Sequence, residues 1–203
     1  MPAPILEFWY DFASTYSYVA ALRIAGLADK AGVAVSWQPF LLGPIFKAQG
    51  LTDSPFVLFP DKGQYMIRDL TRLCDEIGTP FRLPTPFPQN SLLASRVALV
   101  AFDEGFGEDF SRAVYKAEFG KGLAISEPST LDGILRALGK PADSIMTRAQ
   151  SDDIKQRLRD QTEAAQTKKI FGAPSFITAD GELFWGNDRL EQALAWAMRT
   201  MTT

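Results

Sequence analysis

The run Asp11-Phe12-Ala13-Ser14-Thr15-Tyr16-Ser17-Tyr18 holds the side chains best placed for chemistry. It lies where a strand-length apolar run hands over to a helical pattern. In open α/β sheets, ligands gather outside the carboxyl ends of strands, where a helix N-terminus offers free backbone N–H groups and partial positive charge. A hydroxyl there can donate to an anion, and it can equally cap the helix, because Ser and Thr are preferred caps. Two later groups invite the same double reading. Gly172-Ala173-Pro174 precedes a short strand pattern, and Gly186-Asn187-Asp188-Arg189-Leu190-Glu191 opens a helix. Asp188 and Glu191 have capping-box spacing, while an amide and a carboxylate clustered at a helix start can also hold an ammonium and a carboxylate.

Two absences narrow the chemistry further. The chain has no histidine and a single cysteine, Cys74. Serine-histidine-aspartate triads, histidine-activated thiols and histidine-containing zinc sites are excluded, and no metal is expected. Dithiol exchange within the chain is excluded as well. Cys74 sits inside a helical pattern, not at a helix start where its pKa would fall, so it reads as a packed structural side chain.

Composition excludes other classes. The 203 residues carry 21 basic and 24 acidic groups, interleaved, for a net charge of -3, so nucleic acid is not an expected partner. No run approaches the roughly 20 apolar residues of a membrane span, and the first residues lack a signal-peptide pattern. We expect a cytoplasmic protein with no membrane partner. A chain of this length buries about 70% of its unfolded surface and needs no disulfide to fold.

The elements that position these groups follow from periodicity. Ile5 to Tyr10 reads as a buried strand, Tyr18, Leu22 and Ala25 as a helix stopping before Gly32, and Val33 to Gln38 as a second strand ended by Pro39. This is a βαβ unit with parallel strands. Residues 41–60 read as irregular, broken by Gly43, Pro44, Gly50, Pro55 and Pro60. About 100 residues of helical pattern without a convincing strand come next. Two short strands, Ser175 to Thr178 and Glu182 to Trp185, flank the turn Asp180-Gly181, and a last helix starts near Asp188. Helices between two halves of a sheet suggest an α/β fold with an inserted all-helical domain.

Four pieces occur in order: Phe8 to Tyr18, the loop Asp61-Lys62-Gly63-Gln64-Tyr65-Met66, Gly172-Ala173-Pro174, and Phe184 to Glu191. Together they resemble 2-hydroxychromene-2-carboxylate isomerases and kappa-class glutathione transferases, in the DsbA-like branch of thioredoxin folds. The resemblance implies a thioredoxin-like domain from residues 1–45 and 168–203, with the helical domain at 46–167. It implies glutathione as cofactor, a small aromatic substrate and a homodimer. By position, Ser14 matches the serine beside the glutathione sulfur, and Ala173 and a cis Pro174 match the step that pairs with its cysteinyl part. Asn187 and Asp188 match the positions holding the γ-glutamyl end, and Lys62 matches a lysine near the glycyl carboxylate. The implied reaction is isomerisation by reversible thiolate addition; the alternatives are a kappa-like transferase or peroxidase and a non-catalytic binding module. Thr15 departs from the family, which has proline there, and the 50–55 loop lacks the asparagine that transferases use, leaving Thr52 or Asp53 as substitutes. Asn90 is either a cap or an acceptor-site group. Phe40, Phe46, Phe56 and Tyr65 are the expected pocket aromatics.

Overall fold

Residues 3–199 are described by the computed structural model. Ile5–Tyr10 (β1) is central because both of its faces are apolar: Leu6, Phe8 and Tyr10 enter the main core, while Trp9 enters a second cluster on the opposite face with Phe40, Leu42, Ile45 and Ile177. Its neighbours are Ala34–Pro39 (β2), parallel, and Ser175–Thr178 (β3), antiparallel; Leu183–Trp185 (β4) closes the order β2-β1-β3-β4. The parallel pair requires a crossover, supplied by Thr15–Ala31 (α1), which stops as expected at Gly32 in the left-handed conformation, φ 68°.

The segment expected to be irregular is instead largely helical. Leu42–Ala48 (α2), Pro55–Leu58 (α3) and Pro60–Glu76 (α4) occupy it. The prolines read as breakers are starters: Pro55 and Pro60 take first positions and Pro44 lies in the first turn, where the missing N–H has no helical partner to lose.

Leu92–Asp103 (α5), Gly107–Tyr115 (α6), Pro128–Ala137 (α7), Ala142–Arg148 (α8) and Asp152–Thr167 (α9) complete the helical stretch, with a π-helical turn at Lys116–Gly120. Among the described residues, no strand lies between β2 and β3, as the pattern indicated. The main core runs without a break from Phe8 on the sheet to Val97, Phe110 and Leu131 on these helices. Polar ties add direction at the end of β1, where Tyr10 and Ser111 share a 2.7 Å hydroxyl pair and the Tyr115 hydroxyl donates to the Asp11 carbonyl at 2.9 Å. The final helix, Leu190–Arg199 (α10), follows a 3-10 turn at Asn187–Arg189, so it starts slightly later than expected. Residues 200–203 of the expected last helix lie outside the described residues. No described helix is long and apolar enough to cross a membrane.

Candidate active site

Ser14 combines the two roles that its position left open. Its extended backbone (φ -91°, ψ 113°) makes it the cap of α1, and its Oγ accepts from the Ser17 N–H at 3.3 Å. The same hydroxyl donates to the Ala173 carbonyl at 2.9 Å, joining segments 159 residues apart. The Ala173-Pro174 bond is cis. The turn beneath is held by Asp11, whose Oδ1 accepts from the Ala13 N–H at 2.9 Å and whose Oδ2 accepts from the Leu42 N–H at 2.6 Å. Burial pushes the Asp11 carboxyl up, against the pull of the Leu42 N–H.

A cleft of about 1550 Å³ opens beside this junction, and its lining includes Ser14, Lys62, Ala173, Pro174, Asn187 and Asp188. All six residues singled out in the sequence therefore share one cavity. Thr15, Thr52 and Asp53 line it too, as does Asn90, whose Oδ1 also accepts from the Leu92 N–H at 2.9 Å at the start of α5. Phe46, Phe56 and Tyr65 are in the lining. Phe40 is not: it is fully buried behind the sheet, its ring 6.1 Å from that of Trp9, because it follows β2 directly and points to the second cluster.

The 187–191 group does not form a capping box. Gly186 occupies the cap, and Glu191 turns to pair with Arg23, which also donates to Asn187 Oδ1 at 2.8 Å. Asn187 is thereby buried and fixed, whereas the Asp188 side chain is 74% exposed at the rim.

Sequence reasoning missed several lining groups. Tyr16, two residues beyond Ser14, donates its hydroxyl to Asp69 Oδ2 at 2.9 Å, and burial together with that carboxylate pushes the phenol up, so it stays neutral. Helical spacing in α4 puts Lys62, Met66, Asp69 and Leu73 on one cleft-facing stripe, the signal that could have found Asp69. Phe171 and Trp185 pair at 5.1 Å on the rim, and Gly172 lets the indole lie close, since a Cβ there would lie 2.4 Å from Trp185 Nε1 and push the ring aside.

Cys74 belongs to none of this. It is 1% exposed in the core, and burial, reinforced by Asp75, pushes its thiol up to about 11. Cys74→Ala should leave turnover unchanged within about twofold, and the native thiol should resist alkylation near pH 8 until the chain unfolds. Mass spectrometry after iodoacetamide treatment checks this, with rapid modification of the folded protein as the contrary result.

A serine-capped helix, a facing cis-proline step and a helical stretch between two parts of a mixed sheet define a thioredoxin-type protein of the DsbA class. The model of the DSBA-like thioredoxin domain matches residues 5–195, and the chain belongs to that family. Among curated relatives it is 27% identical to the 2-hydroxychromene-2-carboxylate isomerase of Sphingobium xenophagum, over 92% of this chain and 94% of that one. It is also 27% identical to glutathione S-transferase kappa 2 of Caenorhabditis elegans, over 93% and 89% of the two chains. A solved structure of a selenomethionine 2-hydroxychromene-2-carboxylate isomerase superposes with a TM-score of 0.86 at 28% identity, covering 98% of this chain and 96% of that one.

Proposed function

We infer that this protein is a glutathione-dependent isomerase of an aromatic catabolite of the 2-hydroxychromene-2-carboxylate type. The observation that carries the reading is the Ser14 hydroxyl, held at the α1 N-terminus and 2.9 Å from the Ala173 carbonyl inside a cleft of about 1550 Å³. That volume exceeds the roughly 300–1,000 Å³ that one small ligand takes, which suits a peptide thiol and a second molecule together.

A free thiol with a pKa of about 8.5 is only a few per cent ionised at neutral pH. When the cysteinyl N–H of glutathione takes over the Ala173 carbonyl, the Ser14 hydroxyl is released to donate to the sulfur. That bond and the helix N-terminus each contribute about 1 kcal/mol or somewhat more, and each pKa unit of depression corresponds to about 1.4 kcal/mol. Together they bring the thiolate close to a major species near pH 7. Asn187 and Asp188 hold the γ-glutamyl end, and Lys62 meets the glycyl carboxylate.

With the chromene opened, its 2-hydroxyl proton passing to the ring oxygen as the hemiketal C–O bond breaks, bound glutathione would supply a thiolate that adds reversibly to the conjugated carbon, makes the former double bond rotatable, and leaves unchanged with that bond restored in the trans geometry. The nucleophile arrives with the cofactor, so neither histidine nor a reactive protein cysteine is needed.

The kappa transferase relatives favour a second outcome at the same site, irreversible conjugation. Counting free thiol per turnover separates the two. Isomerisation should run for many turnovers on substoichiometric glutathione with no loss of thiol, and loss of one thiol per turnover would replace the isomerase reading by the transferase one.

A further inference from the structure

Three cations line the cleft, and they differ in what neutralises them. Arg189 lies 3.7 Å from the Asp188 carboxylate, whereas Lys47 and Lys62 have no carboxylate within ion-pair distance among the described residues. Of the other lining acids, Asp69 is taken by Tyr16 at 2.9 Å and Arg72 at 3.0 Å, Asp11 is held by the Ala13 and Leu42 N–H groups, and Asp53 accepts from the Ser54 N–H at 2.6 Å. Glutathione brings two carboxylates and one ammonium. At its γ-glutamyl end the two charges balance, and its glycyl carboxylate falls to Lys62. Lys47 is left with no carboxylate of its own within ion-pair distance among the described residues.

Lys47 is exposed at the cleft rim, beside the apolar side of α2. The helix α2 buries Leu42 and Ile45 in the second cluster and turns Phe46 and Lys47 to the cleft. Gln49, at the end of α2, donates to the Phe171 carbonyl at 3.2 Å, which ties this helix end to the segment carrying the Phe171-Trp185 ring pair. A ligand bearing a flat apolar ring and a carboxylate matches that combination, and charge complementarity at an exposed rim selects ligands more than it adds raw affinity.

The geometry points to Lys47 as the anchor for the carboxylate of an aromatic acid substrate, a specificity-determining contact separate from the glutathione contacts. The assignment rests on the function proposed above and deepens it, because it names the residue that separates an aromatic carboxylate from a neutral aromatic of the same shape.

The test uses naphthoate and its uncharged amide as probes, with the intact protein saturated with glutathione and binding followed by titration calorimetry. Lys47→Met should weaken naphthoate about fivefold or more and leave the amide and glutathione itself within twofold. Lys30→Met, a charge loss in the last turn of α1 and away from the cleft, should change none of the three. Higher ionic strength should weaken naphthoate in the unaltered protein and have little effect in Lys47→Met. Unchanged naphthoate affinity in Lys47→Met would overturn the assignment, as would a selective loss of glutathione affinity. Discrimination between naphthoate and its amide with no isomerisation by the unaltered protein would count against the reaction and still support Lys47.

Discussion

Replacing Ser14 by Ala is expected to lower turnover at neutral pH by about 5- to 10-fold, the fall in thiolate that follows from losing about 1 kcal/mol or somewhat more of stabilisation. The side chain makes two contacts, accepting from Ser17 and donating to Ala173, and the consequences separate. Loss of the cap costs about 1 kcal/mol, which lowers the melting temperature by about 2–4 °C for a chain of this size. Loss of the donor acts on the thiolate and so depends on pH. Activity of Ser14→Ala should climb as pH rises through about 8.5, where glutathione ionises without help, and the gap to the unaltered protein should narrow. A pH-rate profile with the same shape in both proteins would show that the serine acts through structure alone.

Glu118→Gln is expected to stabilise the protein, and to do so only at neutral and alkaline pH. Glu118 lies in the π-helical turn, is fully buried, and neither of its carboxyl oxygens has a hydrogen-bond partner among the described residues. Burial, reinforced by repulsion from Asp11, pushes its carboxyl well above the ordinary value of 4.5. The folded chain therefore binds this proton more tightly than the unfolded chain. The stabilisation is complete below 4.5 and is lost as pH rises from there toward the folded value, at about 1.4 kcal/mol per pH unit. Glutamine has the shape of the neutral acid and no proton to lose. Thermal unfolding should show Glu118→Gln melting several degrees higher at pH 8 and close to the unaltered protein at pH 4.5. An equal difference at both pH values would mean that Glu118 does not carry this linkage.

How much of this was legible beforehand depended on the range of the interactions. The strand β1 was readable because Leu6, Phe8 and Tyr10 alternate with Trp9 in a run too short for a helix, and the halt of α1 because Gly32 is placed to take the left-handed cap. Residues 41–60 are ambiguous in sequence because proline forbids a helix interior and equally permits a helix start, and here it starts them. The Ser14-Ala173 contact spans 159 residues, and no local pattern encodes it; family resemblance brought those two positions together. Glu118 is invisible in the sequence because Lys116-Ala117-Glu118 has the composition of a solvated helix face, and its burial is set by packing from α1 and α6. Asp188 and Glu191 satisfied the spacing of a cap, yet the pairing of Glu191 with Arg23 prevailed because that arginine also fixes Asn187.

The central claim concerns an electrostatic environment for a sulfur that the protein does not own. Ultraviolet thiolate absorbance of bound glutathione, titrated against pH, reads that environment without requiring a substrate. The account predicts that the bound thiol ionises at least one unit below its free value of about 8.5, and that Ser14→Ala returns it most of the way. A bound thiol that titrates like free glutathione, or one equally depressed in Ser14→Ala, would contradict it.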